Sequence, residues 1–166
     1  IMLAKHPDVF IEFQADSKVN NIVAEKFGKA GIPIIAVDVA VPGAPFMGVN
    51  NWHAAVMAGN YAADLIEKEW GGWDAVDLVI LGQMPAGGEV CMLRSEGFAW
   101  ALGERFGFDY QKDPKVVRAD FGMGEAEEAK IAMTNVLAAH PNAKRIVFTT
   151  INDETMQGAF AAMEIV

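Results

Sequence analysis

Six short stretches place amides, carboxylates, a guanidinium and aromatic rings directly after apolar runs: Phe13-Gln14, Asp38, Asn50-Asn51-Trp52, the segment from Gln83 to Arg94, Asp120-Phe121 and Asn152-Asp153. Carboxylates and amides can each share two hydrogen bonds with vicinal hydroxyls, and flat rings stack on C–H faces. The set therefore suits a neutral polyol or sugar better than a phosphate. Several members also have a purely structural reading. Asn152 and Asp153 precede a helical pattern, as do Asn50 and Asn51, and N-capping accounts for at least one residue of each pair. Asp38 closes an apolar strand and leads into Val39-Ala40-Val41, which begin no helix, so capping explains it less easily. Arg94 falls a turn into a helix that is otherwise apolar at Val90, Leu93 and Phe98. A cation near a helix N-terminus opposes the macrodipole, so a partner must justify it, either a ligand or Glu89 or Glu96.

The sequence lacks the common motifs for catalysis. Gly87-Gly88 lacks the Gly-x-x-x-x-Gly-Lys-Ser/Thr pattern of a phosphate loop, and the sequence has no Gly-x-Ser-x-Gly elbow. His6, His53 and His140 are far apart and none has metal-ligand spacing; His53 reads as a helix-start residue and His140-Pro141 as a helix end. No metal site, cofactor or catalytic residue is expected. Cys91, the single cysteine, sits among apolar neighbours and reads as a buried structural thiol. An α/β enzyme such as a sugar isomerase stays open only because spacing cannot exclude two-carboxylate chemistry.

The elements that must position these residues follow a β-α alternation. Asp8 to Phe13 reads as a strand, Asp16-Ser17 as the N-cap of a helix with Val19, Ile22, Val23 and Phe27 at helical spacing, and Ile32 to Val37 as a near-continuous apolar strand. Unbroken apolar strands are expected where helices cover both faces of a parallel sheet. Pro42 to Pro45 breaks the pattern, and Phe46 to Val49 reads as an extended crossing, which places a hinge near 45–51. A long helix then runs from Asn51 to Trp70, closed by Gly71-Gly72. The cycle repeats as strand Val76 to Leu81, loop Gln83 to Gly88, helix Glu89 to Phe106, strand Val116 to Ala119, helix Gly124 to Ala139, strand Arg145 to Thr150 and a helix from Asp153. The fold class is α/β, with parallel sheets flanked by helices. In such sheets ligands bind beyond the carboxyl ends of the strands, which is where the polar stretches fall.

The 166 residues are 52% hydrophobic, enough for a packed core, and no apolar run is long enough to span a bilayer. A net charge of −9 repels phosphate backbones, so nucleic acid is not an expected partner. The opening Ile1-Met2-Leu3 reads like the end of a helix and the closing helix stops while still apolar; both ends look cut from a longer product.

Five stretches, in order, resemble the sugar-binding proteins of bacterial ABC importers, the type I periplasmic binding fold typified by the ribose-binding protein. They are Gly31 to Asp38, Gly48-Val49-Asn50-Asn51 with Ala58-Gly59, Arg94-Ser95-Glu96-Gly97-Phe98, Ala119-Asp120-Phe121, and Asn152-Asp153-Glu154 with Gly158-Ala159. The resemblance covers essentially the whole chain. It implies a two-lobe fold, partial here, in which residues 1–47 are the C-terminal part of the first lobe and 48–166 most of the second. It implies that Asp38, Arg94 and Asn152 hydrogen-bond sugar hydroxyls, that Phe121 stacks on the sugar and that Asn51 is another ligand contact; Phe13 and Gln14 join them from the first strand's end. It further implies a monomeric, exported component, periplasmic or lipid-anchored outside the cell, that delivers its sugar to an ABC permease. The alternative is the ligand-sensing domain of a lactose-repressor-type regulator. Two positions depart from the ribose-type pattern: Val39 stands where Arg usually follows the strand-end Asp, and Val49 replaces a polar residue.

Overall fold

A computed structural model describes residues 2–14 and 16–165. Its first strand, β1 (Phe10–Glu12), is shorter than the sequence suggests. It leads to α1 (Ser17–Lys29), which is capped by Asp16, whose side chain accepts from the Lys18 N–H. The next strand, β2 (Ile34–Val37), begins two residues later than expected because Pro33 has no N–H to give a ladder; its carbonyl instead accepts from Phe10 N. Phe46–Met47 form β3, which pairs in parallel with β2, so the expected crossing is in part a third strand of the first sheet. That sheet has the order β1-β2-β3, all parallel. Side chains alternate across it. Phe10, Ile34 and Ala36 meet α1, with Phe10 stacked on Phe27 at a centroid distance of 4.1 Å, while Ile11, Ile35 and Met47 lie exposed on the other face.

The second sheet, order β5-β4-β6, is also parallel. Its helix α2 (Asn51–Trp70) comes first, then β4 (Leu78–Gln83), α3 (Glu89–Phe106), β5 (Val116–Asp120), α4 (Ala126–Ala139), β6 (Ile146–Thr149) and α5 (Asp153–Met163). β4 is buried along its whole length and lies two residues beyond the expected span. A 3-10 turn at Trp73–Ala75 delays its start, and Gly82 and Gln83 extend it by pairing with Ala119 and Asp120. Helix α4 starts at Ala126 rather than Gly124, whose φ of 91° is left-handed.

Two cores sandwich β4. Val79 and Leu81 pack with Ala55, Ala63 and Ile66 of α2 and with Phe98 and Leu102 of α3. Leu78 and Ile80, one residue out of phase, pack with Met133 and Leu137 of α4 and Ala159 and Ala162 of α5. This is the period-2 alternation of a strand covered on both faces. Helices α2 and α3 approach closely through glycines: a Cβ at Gly59 would meet Phe98 O at 2.5 Å, and one at Gly97 would meet Trp52 O at 2.8 Å. That close crossing brings the N-terminus of α2 beside the first turns of α3.

Candidate ligand-binding site

The polar residues gather where strand ends and helix starts meet, around Arg94. Its Nε donates to Asn51 Oδ1 at 2.8 Å and its Nη1 to the Ile151 carbonyl at 2.8 Å. Its Nη2 lies 3.8 Å from Asp38 Oδ2, and both side chains are partly exposed. The partner that justifies a cation in this part of α3 is therefore neither Glu89 nor Glu96. A guanidinium carries five N–H donors, and two of them are used in these hydrogen bonds. Three remain for the Asp38 carboxylate or for a ligand. The group joins the end of β2, the start of α2, α3 and the β6–α5 loop.

Asp38 is held in an unusual backbone conformation. Its φ is 64°, and Val39 N donates to Val37 O at 2.7 Å across it, a three-residue turn at the end of β2. A left-handed non-glycine residue costs about 1–2 kcal/mol, less for Asp than for bulkier types, and such residues concentrate where a side chain must be aimed. The Asp38 N–H donates to Met47 O, which ties the turn to β3.

The amides divide between capping and the site. Asn50 caps α2 by accepting from His53 N at 2.9 Å, which frees Asn51, buried in the first turn, to receive Arg94. Asn152 closes a capping box with Thr155, and its Nδ2 donates to Gly124 O at 3.0 Å. The capping alternative thus holds for Asn152, and it is the neighbouring Ile151 carbonyl that reaches Arg94. Gln14 Oε1 accepts from Asp16 N at 3.1 Å at the start of α1, and Phe13 is exposed at the end of β1, next to β2.

Phe121 departs from the stacking role expected of it. Its ring is fully buried in the core under α4 and sits so close to Gly82 that a Cβ there would run into it. No face of it is open to a ligand in this structure. Asp120, beside it, accepts from Gly122 N at 2.9 Å and shapes the turn after β5.

A residue that sequence reading assigned to a loop proves central. Gln83, the last residue of β4 and 5% exposed, donates to Ser95 Oγ at 3.0 Å and to Glu96 Oε1 at 2.7 Å. Glu96 also receives Arg118 Nε at 2.8 Å and Nη2 at 2.9 Å, and this two-point bond holds its carboxyl below the usual glutamate range. A polar residue ending an otherwise apolar strand was the available signal. Cys91 packs with Met84 and Ile151, and burial pushes its thiol up.

The chain belongs to the periplasmic binding protein family, whose domain model matches residues 1–165. Solved structures share the fold. An ABC transporter solute binding protein from Burkholderia multivorans is 22% identical with a TM-score of 0.76, over 99% of this chain and 56% of that one. An ABC transporter periplasmic solute binding protein from Actinobacillus succinogenes with bound D-allose is 27% identical with a TM-score of 0.71, over 99% and 56%. An ABC transporter solute binding protein from Bacillus halodurans with bound myo-inositol is 21% identical with a TM-score of 0.73, over 99% and 53%. The chain thus spans about half the length of the solved structures it matches. No curated protein sequence matches it.

Proposed function

We propose that this chain is part of the substrate-binding component of an ABC sugar importer, working outside the cytoplasmic membrane, and that it binds a monosaccharide or small polyol between two lobes. The observation that carries the reading is Arg94. Its guanidinium is fixed by Asn51 and Ile151 O, keeps N–H donors to spare, and faces the strained Asp38 carboxylate of the other sheet across 3.8 Å. A donor fork opposite an acceptor pair is the arrangement that grips vicinal hydroxyls, and neither half is an acid–base or nucleophilic constellation. The relatives found with D-allose and myo-inositol support the same ligand class.

On this reading residues 1–47 are the last part of one lobe and 48–166 most of the other, with the segment at 48–50 as one crossing between them. The first sheet, which ends at Met47, and the helix that starts at Asn51 support this division, as does the uncovered face of the first sheet. Ligand contacts are Arg94, Asp38 and Asn51, with Phe13 exposed at the rim to stack on the sugar. Delivery to a membrane permease follows from this role.

A thermal-shift screen of the protein against D-allose, myo-inositol, other hexoses, pentoses and glycerol tests the proposal, because a ligand that binds only the folded state raises the midpoint as RT ln(1 + [L]/Kd). Arg94→Ala is expected to weaken binding of the best hit by about 1.5–3 kcal/mol, the scale for hydrogen bonds made by a charged group. Unchanged affinity in calorimetry would remove Arg94 from the site.

A further inference from the structure

Arg94 makes none of its bonds to the sheet beneath it, yet the two residues that follow it are both bound there. Gln83 spends both hydrogens of its buried amide on them, one on Ser95 Oγ and one on Glu96 Oε1. Ser95 Oγ is in turn 3.1 Å from Met92 O, and Glu96 is gripped at two points by Arg118 of β5, which also donates to Tyr110 O. The Gln83 carbonyl accepts from Phe121 N at 2.8 Å, so one residue joins the end of β4, the second turn of α3 and the start of the β5–α4 loop. Successive helix positions are rotated by about 100°, so a residue preceding two anchored ones points about 150° away from their mean direction. For Arg94 that direction leads to Asn51 and Ile151, where its guanidinium is found.

We infer that Gln83 is a positioning residue for Arg94: with Glu96 and Arg118 it locks the rotation of α3 and so aims the guanidinium into the cleft. The inference rests on the proposed role of Arg94 as a ligand contact. An amide fits position 83, because it supplies two donors without a charge. A glutamate would set a second carboxylate against Glu96, and an apolar residue would leave Ser95 and Glu96 without their buried donor. Gln83 is buried and both its side-chain bonds go to α3, so its effect is expressed through where Arg94 points.

The test is nitrogen-edited NMR of the arginine Nε–H groups in the 166-residue chain, with Arg94→Lys identifying the resonance and Asn51→Ala showing how it behaves when its acceptor is removed. In the parent chain the Arg94 signal is expected to be shifted from the free-arginine position and slow to exchange. In Gln83→Met it should move to the Asn51→Ala position or be lost to exchange, while the amide signals of β4, α4 and α5 stay in place; Glu96→Gln should give a partial shift in the same direction. Affinity for D-allose or myo-inositol, whichever the parent chain binds, should fall about tenfold, the scale of one charged hydrogen bond misaligned. An unchanged Arg94 signal in Gln83→Met, whatever happens to the melting temperature, would overturn the inference. If Gln83→Met does not fold, an unchanged signal in Glu96→Gln does the same. The resonance needs no ligand, so this result stands or falls by itself, separately from the sugar-binding test of the proposed function.

Discussion

The two sheets are built from the same β-α unit, yet only one of them is enclosed. In the second, β4 is buried at every residue and has α2 and α3 on one side and α4 and α5 on the other. In the first, α1 covers one side only, the strands are two to four residues long, and Ile11, at 64% exposure, lies on the bare side opposite Ile35. Folding free energy is therefore concentrated in the second sheet, and Asp38 stands at the end of the less supported one. The 3.8 Å approach of Arg94 to Asp38 thus joins the enclosed sheet's helices to the half-covered sheet.

The sharpest way to break this comparison is to open the enclosed core. Leu81→Ala is expected to lower stability by about 2–5 kcal/mol in denaturant titrations, the range for a buried leucine that leaves a cavity. A loss below about 1 kcal/mol would mean that the second sheet does not dominate. Next in size is Gly59→Ala, whose Cβ would press on Phe98 O and Ala101 Cβ and push α2 from α3. Overpacking of this kind costs about 1–3 kcal/mol, and it should also loosen the Asn51–Arg94 hydrogen bond because both helices carry that contact.

Two acids, Glu96 on α3 and Glu12 on β1, shift in opposite directions. Glu96 titrates below the usual glutamate range because Arg118 hydrogen-bonds it, so its contribution is present above that range and is lost as pH falls through the lowered value. Glu12, on β1, titrates above the usual range because it is buried, so it favours the fold when protonated and that contribution is lost as pH rises through the raised value. Melting curves between about pH 3 and pH 7 should show Glu96→Gln destabilising and Glu12→Gln stabilising at the neutral end, with both differences closing at the acid end. The smallest effect belongs to the bare face: Ile11→Thr should change stability by no more than about 0.5 kcal/mol, as expected of a surface position. A loss of 2 kcal/mol or more there, on the order of a core truncation, would show that the face is covered in solution.

The alternation of strands and helices, and the placing of polar residues at strand ends, were legible because both depend on local periodicity. Helix starts at Asn50 and Asn152 were legible for the same reason, since capping is a matter of three residues. What could not be read was the choice among donors. Arg94 takes Asn51, which lies 43 residues away, over Glu96, which lies two away, because a helix puts i and i+2 on different faces. Gln83 looked like the first residue of a loop, since a glycine and then a polar residue after four apolar ones signal an end, but pairing with Asp120 keeps it in the strand. The stacking role of Phe121 came from the family resemblance, which carries no information on how this ring packs. Its burial depends on Gly82, a neighbour on the adjacent strand that leaves room for the ring.

Cys91 has a practical consequence. It is 4% exposed, its thiol is pushed up by burial, and it is the single cysteine of the chain. A cysteine introduced at Phe13, which is 66% exposed at the end of β1, would then be the one thiol accessible to a maleimide dye at neutral pH. The chain can thus carry a single fluorophore at the end of β1 with no residue removed from its core.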